Sequence, residues 1–220
     1  HPEIADAATL LAFIAKVRML TGKPVGFKLV IGDPGWLDDL CREIVHQGLA
    51  SAPDFITVDS ADGGTGAAPM SLLDYVGLPL QESLPLVVDK LVEYGLRERI
   101  RVIASGKLIN PGEVAWALCV GADFVNSARG FLFALGCVQA MQCDKNTCPA
   151  GITTHNLRLQ RGLDPEDKAE RVRHYVENMR HEVATIAHAC GAATPRQLQR
   201  EHCRIVVSPG RSVPLDELYR

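Results

Sequence analysis

The chain has 220 residues, of which 47% are apolar and 22% are charged, and its formal net charge is -3 at pH 7. These values are ordinary for a globular domain large enough to bury a substantial core. The slightly negative charge gives no reason to expect nucleic acid or an anionic membrane surface as a partner. The most apolar run, residues 131–140, is far too short to span a bilayer, and no basic segment followed by an apolar one opens the chain.

Helical and strand patterns alternate from residue 7 to residue 125. Helices are predicted where apolar residues recur at helical spacing, and strands where short apolar runs are bounded by turn residues. In chain order the predictions are helix 7–19, strand 25–31, helix from 34 toward 48, strand 55–58, helix 81–94, strand 100–104, helix 111–120 and a strand that begins at 124–125. Beyond them, the pattern predicts a long charged helix over 165–188 and a polar tail with one apolar stretch at 205–207.

Four strand–helix units in succession predict a parallel sheet with helical crossovers, for which a doubly wound sheet and part of a (β/α)8 barrel are both suitable. Lys28, Asp59, Ser60 and Ser105 lie at or just past the carboxyl ends of predicted strands, where barrel enzymes place their active sites. A complete barrel needs about 250 residues and eight units. We therefore expect an α/β fold, namely the C-terminal half of a (β/α)8 TIM barrel with an added cysteine-cluster loop and a C-terminal helix. The first residues read as the middle of a loop, so we expect a piece of a longer protein.

Lys28 interrupts an otherwise apolar predicted strand. Because lysine is seldom buried without a partner, it is either a cation at the barrel mouth, in contact with an anionic substrate or a flavin, or a strand-end lysine paired with a carboxylate such as Asp59. The loop over residues 59–69 has three glycines in four residues, which allow close backbone approach to a ligand. Glycine-rich turns also simply connect elements, so this loop alone indicates a binding site only weakly.

Two further loops pair glycine with hydroxyl and cationic side chains: Ser105-Gly106-Lys107 after the third strand, and Asn126-Ser127-Ala128-Arg129-Gly130 after the fourth. In barrels, the loops after strands seven and eight commonly build a phosphate site. Glycine gives room there, serine and backbone N–H groups donate hydrogen bonds, and Lys107 or Arg129 could supply charge. The alternative is that these two cations are solvated surface residues.

Three of the seven cysteines, Cys137, Cys143 and Cys148, lie within twelve residues, and Pro149 follows the last. Three thiolates among small and turn-forming residues can converge on one soft metal centre. An iron–sulfur cluster is the leading interpretation, because clusters are held by cysteine thiolates and ligand runs often end in Cys-Pro. Zinc, with His155 as a candidate fourth ligand, and the absence of any metal are the alternatives.

The other four cysteines give weaker signals. Cys41 and Cys119 lie in helical patterns and are interpreted as small buried apolar residues, whereas Cys190 and Cys203 could pair. A disulfide framework is not expected in a chain with this much core. We therefore expect a reducing, cytoplasmic location.

These residues together resemble the FMN-binding domain of glutamate synthase. The resemblance covers about residues 1–161 and is carried by Lys28, the loop Asp-Gly-Gly-Thr-Gly-Ala-Ala-Pro within residues 60–69, Ser105-Gly106, and the run Cys-Asp-Lys-Asn-Thr-Cys-Pro-Ala-Gly-Ile. It implies a (β/α)8 barrel that holds FMN, with a [3Fe-4S] cluster near the flavin. On this basis residues 1–161 are predicted to form the second half of the barrel with its iron–sulfur loop, and residues 162–220 a C-terminal helical extension.

The resemblance also implies a role for each candidate residue. Cys137, Cys143 and Cys148 would bind the cluster, and Lys28 would be a catalytic residue that lies beside the flavin pyrimidine and the bound 2-oxo acid. The remaining positions would contact FMN, with Ser105, Gly106, Ser127 and Ala128 around its phosphate: Ser60, Gly63, Gly64, Thr65, Ser105, Gly106, Lys107, Asn126, Ser127, Ala128 and Arg129.

The implied reaction is the reduction of 2-iminoglutarate, formed from 2-oxoglutarate and ammonia, to glutamate. Electrons would arrive through the cluster from ferredoxin or an NAD(P)H-oxidising flavoprotein subunit. The first half of the barrel would be a further partner, and this fragment alone is expected to be inactive. The larger enzymes of the family have Asp-Gly-Gly where this chain has Ser105-Gly106-Lys107, which favours a shorter, stand-alone relative.

Three alternatives remain at this point. One is a related flavoenzyme that uses another amino donor, for example methylamine in an N-methylglutamate synthase-like reaction. Another is a phosphate-binding barrel in which a cysteine is the nucleophile. The last is a metal-stapled, non-catalytic barrel fragment, for which a closed zinc site would need a fourth ligand.

Overall fold

The computed structural model describes residues 1–61, 72 and 76–219. From residue 7 to residue 126, helices and strands alternate in the predicted order. The strands are β1 Phe27–Val30, β2 Phe55–Asp59, β3 Arg101–Ser105, β4 Phe124–Asn126, β5 Arg204–Ser208 and β6 Arg211–Pro214. The helices are α1 Ala7–Thr21, α2 Gly35–Gln47, α3 Leu80–Glu93, α4 Pro111–Val120, α5 Ala128–Ala134, α6 Leu157–Gln160, α7 Pro165–Ala189 and α8 Leu215–Leu218.

The ends of α4 illustrate why the sequence forms these elements. Asn110 Oδ1 accepts a hydrogen bond from the Glu113 backbone N–H at 3.0 Å, and Glu113 Oε2 accepts one from the Asn110 N–H at 3.1 Å. This reciprocal capping box satisfies N–H groups that have no partner inside the helix, and Pro111 suits the first helical position. Gly121 ends the helix with a φ of 125°, which favours glycine.

The first four strands form one parallel sheet in the order β1-β2-β3-β4. Each strand pairs with the next strand along the chain, and a helix connects each described pair. A doubly wound sheet has a point where the strand order reverses, and this sheet has none among its four strands. The fold is therefore α/β, with four consecutive units of a (β/α)8 barrel.

The register aligns side chains of the four strands into rows. One row, Leu29, Val58, Ala104 and Val125, packs against the helices as part of the main core. The next row toward the carboxyl ends consists of Val30, Asp59, Ser105 and Asn126. Successive residues of a strand point to opposite faces, so this second row, here termed the carboxyl-edge row, lies on the face away from the helices.

That second face is partly uncovered. Val30 on β1 is 43% exposed and Phe124 on β4 is 50% exposed, although both are large apolar residues within a sheet. In a closed barrel this face is the packed interior. The apolar residues exposed on the two outer strands, β1 and β4, lie where further barrel strands would cover them.

The amino ends of the strands carry partly buried ion pairs instead of candidate site residues. The Asp54 carboxylate accepts hydrogen bonds from the Val25 backbone N–H at 2.8 Å, from Arg18 at 3.0 Å and from Arg99 at 3.0 Å. Asp123 accepts from the Val102 backbone N–H at 2.8 Å and pairs with Arg97 at 2.9 Å. These contacts fix the loops at the face of a barrel that serves stability.

The residues after the fourth strand pack back onto the half barrel. The 25-residue helix α7 contacts α4 and α5, and Ala187 belongs to a second small core with Ala115 and Cys119 of α4. The tail forms the antiparallel β5-β6 hairpin, and Leu215 of α8 is fully buried in the main core. Within the described ranges, none of the helices has the length and apolar character needed to cross a membrane.

Candidate functional site

The carboxyl ends of β1 to β4 bring several predicted site residues to one edge of the sheet. Asp59, Ser105 and Asn126 are adjacent in the carboxyl-edge row, although 67 positions separate the first from the last along the chain. The loops that follow these strands begin with Ser60, Gly106 and Ser127, so these residues lie at the same edge. Parallel strands place their active-site loops at this edge in barrel enzymes.

Lys28 is paired with Asp59. Lys28 Nζ lies 2.8 Å from Asp59 Oδ2, and the lysine side chain is 64% exposed while that of the aspartate is 22% exposed. The carboxylate partner considered from sequence is thus present. The ion pair keeps a cation on the uncovered face of the sheet without burying an isolated charge, and the ammonium remains accessible to a ligand.

Ser60 and Gly106 join two of the strand-end loops. Ser60 is 4% exposed, and its hydroxyl accepts a hydrogen bond at 3.0 Å from the backbone N–H of Leu80, the first residue of α3. Gly106 lies directly over Ser60: its φ is 150°, and a Cβ at this position would collide with the Ser60 Cβ and lie 3.3 Å from the Ser60 nitrogen. Only glycine allows this approach, which holds the ends of β2 and β3 together.

Lys107, Ala128 and Arg129 lie at the same edge. Lys107 follows Gly106 and adopts a left-handed backbone conformation with a φ of 49°. Ala128 and Arg129 form the first turn of α5, where Ala128 is exposed and Arg129 half-buried. Both loops follow strands that are neighbours in the sheet, and their contact with a phosphate stays a prediction.

Tyr175 of α7 is a site residue that the sequence analysis missed. Its hydroxyl donates to the Ile109 carbonyl at 2.8 Å and lies 3.2 Å from the Ser127 hydroxyl, which can donate to it. Its ring packs edge-on against Phe131 at 5.3 Å between centroids, and a Cβ at Gly130 would collide with the tyrosine hydroxyl. The charge pattern of α7 indicates a solvated helix, so the one signal was an aromatic residue within it.

The predicted contacts at Gly63, Gly64 and Thr65 lie outside the described residues. They stay predictions.

The segment that carries Cys137, Cys143 and Cys148 has an unusual backbone. In the described ranges, four non-glycine residues have a positive φ, and three of these, Gln139, Met141 and Asn146, lie in this loop. Conformations of this kind are costly and cluster at ligand-binding loops. Its far end is fixed by the Thr154 hydroxyl, which donates to the Asn146 carbonyl at 2.7 Å.

Cys148 has the surroundings of a thiolate. Burial raises the pKa of its thiol, but hydrogen bonds from the backbone N–H groups of Thr153, Ile152 and Ala150, together with the nearby Thr153 hydroxyl, lower the pKa by more. The net pKa is therefore below the ordinary value. Thr153 Oγ1 is buried and makes no well-aligned hydrogen bond within the part of the chain that the structure describes. It lies close enough to the sulfur to favour negative charge there.

The other two candidate ligands lie in the same loop. Cys137 and Cys143 are half-buried, and the Cys137 sulfur accepts a hydrogen bond from the Gln139 backbone N–H at 3.4 Å. Across residues 1–61, 72 and 76–219, no three or more histidine, cysteine or acidic side chains are grouped closely enough to hold a metal ion. The donor chemistry of the loop fits a cluster held by thiolates, whereas convergence of the three sulfurs stays a prediction.

Cationic side chains of α7 approach the first of these cysteines. A Cβ at Gly136, the residue before Cys137, would lie 3.6 Å from an Arg171 guanidinium nitrogen and 3.9 Å from Lys168 Nζ. The two cations line a groove of about 310 Å³ together with apolar residues on both sides of the cysteines.

The fold resembles that of a solved flavoenzyme. A mutant flavocytochrome b2 with pyruvate bound matches with a TM-score of 0.52 and 16% sequence identity, over 86% of this chain and 36% of that chain. At this identity the likeness shows the fold alone.

Sequence relatives decide the family. The family model described as the conserved region in glutamate synthase matches residues 1–193. The chain belongs to the glutamate synthase family. Glutamate synthase large subunit-like protein YerD of Bacillus subtilis is 43% identical over 98% of this chain, and the archaeal glutamate synthase [NADPH] of Methanocaldococcus jannaschii is 34% identical over 79% of it.

The matched relatives are longer than this chain. It spans 41% of the YerD protein, 33% of the archaeal glutamate synthase and 10% of the glutamate synthase [NADPH] large chain of Bacillus subtilis. The identity to that large chain is 33% over 64% of this chain. The higher identity and coverage with YerD agree with the predicted resemblance to a shorter member of the family.

Proposed function

We propose that this chain is the flavin-proximal part of an oxidoreductase of glutamate synthase type, which reduces 2-iminoglutarate, formed from 2-oxoglutarate and ammonia, to glutamate. The observation that carries the proposal is the meeting of Lys28–Asp59, Ser60–Gly106 and Ser127 at the carboxyl edge of the sheet in a member of this family. A barrel presents its chemistry at this edge.

FMN would be held across the strand-end loops. Ser105, Gly106 and Lys107 after β3, and Asn126, Ser127, Ala128 and Arg129 after β4, supply hydroxyl, amide, backbone N–H and cationic groups of the kind that bind phosphate. The close contact of Gly106 with Ser60 would hold the turn after β3 against the loop after β2. Gly63, Gly64 and Thr65 of the preceding loop complete the proposed flavin contacts.

Lys28 would orient the substrate and stabilise negative charge. Its accessible ammonium can pair with a carboxylate of 2-iminoglutarate or with the pyrimidine edge of reduced flavin, where a nearby cation tunes cofactor electronics. Asp59 would hold the lysine in place when no ligand is bound. A cation that is already positioned where negative charge develops stabilises that charge more than a cation that must first move there.

Cys137, Cys143 and Cys148 would hold a [3Fe-4S] cluster. The hydrogen bonds from the 150–153 backbone to Cys148 favour its sulfur in the anionic, ligating form. Gln139 donates a backbone hydrogen bond to the Cys137 sulfur. When bound, FMN supplies the hydride that reduces the imine carbon, and the cluster supplies electrons one at a time. The chain's own part is to bind, orient and exclude water.

The proposed protein partners are an electron donor and the other half of the barrel. An archaeal relative is named as an NADPH enzyme, which supports an NADPH-oxidising flavoprotein as the donor, with ferredoxin as the alternative. The uncovered face at Val30 and Phe124 supports a partner that supplies the first half of the barrel. A reducing cytoplasm would keep the three cysteine ligands as thiols and thiolates.

The test of this function is turnover by the full-length protein with chemically reduced donor, 2-oxoglutarate and, in separate assays, ammonia, glutamine or methylamine. Glutamate formed from ammonia supports the proposal, and N-methylglutamate formed from methylamine would replace it by the related amine-using reaction. Lys28→Met is expected to lower kcat/KM by about 10²-fold or more, because a positioned charge is lost.

The matched control is Lys23→Met, since Lys23 is an exposed lysine just before β1. It should leave turnover unchanged. Equal activity of the Lys28 and Lys23 variants would contradict the proposed role of Lys28.

A further inference from the structure

A second group of thiols forms away from the cysteine loop. Cys119 of α4, Cys190 at the end of α7 and Cys203 just before β5 pack into one small apolar cluster with Ala187 and Leu198. Because 84 positions separate Cys119 from Cys203, no local sequence pattern predicts that these two residues meet. The glutamate synthase reaction proposed above uses none of the three thiols.

The three thiols differ in access. Cys119 is 5% exposed, whereas Cys190 and Cys203 are half-buried. Cys203 is fixed by its own backbone, since its carbonyl accepts the Leu215 N–H at 2.9 Å and thereby joins the tail to α8. A reagent from solvent therefore reaches Cys203 before Cys119.

Cys119 and Cys203 are hydrogen-bonded to each other, and the pair shares its protons unequally. The hydrogen bond with Cys119 lowers the pKa of Cys203 to about 7, against the raising effect of burial. The hydrogen bond with Cys203, together with burial, raises the pKa of Cys119, and the nearby Cys190 raises it further. Cys203 is therefore the more acidic thiol of the pair.

An accessible thiolate beside a second thiol is the arrangement that reacts with peroxides. The thiolate is the nucleophile in thiol oxidation, and susceptibility follows its ionised fraction and its exposure. A neighbouring thiol then resolves the oxidised sulfur as a disulfide. Cys41 of α2 is fully buried, and burial raises its pKa to about 11. It therefore lacks both the exposure and the ionised fraction that favour oxidation.

We propose that Cys203 is an oxidation site for hydrogen peroxide and that, once oxidised, it forms a disulfide with Cys119. The Cys203 sulfur attacks one peroxide oxygen, the O–O bond breaks, and the leaving hydroxide takes a proton and departs as water. The Cys119 sulfur then attacks the Cys203 sulfenic acid, the S–O bond breaks, and a second water leaves. Two thiols lose two electrons in total, and one peroxide is reduced to two waters.

The disulfide would link the tail to α4. In the reduced protein this contact depends on packing and on the hydrogen bond between the two thiols. A covalent link across 84 positions restricts the unfolded chain. Oxidation should therefore raise the thermal midpoint of the full-length protein.

The experiment is peptide mapping after a limited peroxide pulse. Full-length protein is reduced, desalted anaerobically, treated with one equivalent of hydrogen peroxide, denatured with N-ethylmaleimide and digested. The expected product is a peptide pair linked through Cys119 and Cys203, with Cys41 fully alkylated as the internal control. Peptides are read instead of activity, because a cluster at Cys137, Cys143 and Cys148 would react with peroxide on its own account.

Three variants sharpen the result. Cys203→Ser should abolish the linked pair. Cys119→Ala should leave Cys203 as a sulfenic acid that dimedone traps, and Cys190→Ser should still form the pair. A Cys190–Cys203 link, full alkylation of Cys203 in the wild type, or direct passage of Cys203 to sulfinic acid with Cys119 still alkylated would overturn the proposal.

Discussion

Gly106 and Ser60 make a contact that has no room for a larger residue. We predict that Gly106→Ala destabilises the protein by about 1–3 kcal/mol, because it adds a clash with Ser60 to a strained φ of 150°. Chemical denaturation measures the change. It should also weaken FMN binding, since Ser60 and Gly106 join the two loops of the proposed site.

Gly32 is the matched control for Gly106. It follows β1 near the same edge of the sheet, and a Cβ there meets no atom within 4 Å. Gly32→Ala should change stability by no more than about 0.5 kcal/mol. Equal effects of the two substitutions would show that the contact with Ser60 carries no constraint.

Asp54 should make the fold sensitive to acid. Burial raises the pKa of its carboxyl, but hydrogen bonds from the Val25 backbone, Arg18 and Arg99 together lower it by a larger amount. The pKa in the folded protein is therefore below the ordinary value. A group with a depressed folded pKa stabilises the fold above its unfolded pKa, near pH 4, and loses that contribution as the pH falls through the folded pKa.

We predict that Asp54→Asn lowers stability at pH 7 and flattens the dependence of stability on pH below about pH 4. Urea denaturation at several pH values measures this. Asp39→Asn is the control, because the Asp39 side chain is 66% exposed. An Asp54 variant with the wild-type acid profile would contradict the proposed linkage.

At the scale of elements, α7 holds the loop after β4 in place through Tyr175. Tyr175→Phe keeps the ring against Phe131 but leaves the Ile109 carbonyl and the Ser127 hydroxyl without this partner. The expected cost is about 1 kcal/mol. Tyr175→Ala also removes the half-buried ring and should cost about 2–3 kcal/mol. Thermal or chemical denaturation separates the two contributions, and equal costs would show that the hydroxyl, not the ring, dominates.

The order of the half-barrel elements could be predicted because each carries a local signal. Strands such as β2 and β3 are short apolar runs, and α4 is bounded by a capping box and a glycine. The β5-β6 hairpin was not predicted, because its strands are largely exposed and lack a clear alternation. Helix α5 was also missed, since seven residues that include Gly130 give too short a pattern.

The candidate site was predictable only where position along a strand determines it. Ser105 and Asn126 end β3 and β4, as the strand pattern predicts. Lys28 is the second residue of β1 and not at its carboxyl end, so that part of the prediction was wrong. The contacts of Tyr175 and the meeting of Cys119 with Cys203 depend on how α7 and the tail pack on α4. Such long-range packing has no local pattern in the sequence. The charged residues of α7 indicate its solvent-facing side. They do not indicate that Tyr175 on the same helix contacts Ser127.

At the scale of the whole molecule, the sheet is half of a closed architecture. The core on the helix side is complete, with Ile56, Val102 and Ala104 fully buried, whereas Val30 and Phe124 on the other face are exposed. This difference explains why the chain can hold its strand-end residues in register and still needs further strands to enclose a cofactor. The proposed flavin site would therefore need strands beyond the four of this sheet.

The central claim is that this chain contributes to an FMN and iron–sulfur site. The measurement that tests it most directly is an anaerobic absorption spectrum of the full-length protein, with FMN, iron and acid-labile sulfide assayed on the same sample. We predict flavin bands over a broad cluster absorption, with about three irons per chain, and loss of iron but not of flavin in Cys148→Ala, while Cys41→Ala keeps both. Protein with neither flavin nor iron after reconstitution, or with stoichiometric zinc and no sulfide, would contradict the claim.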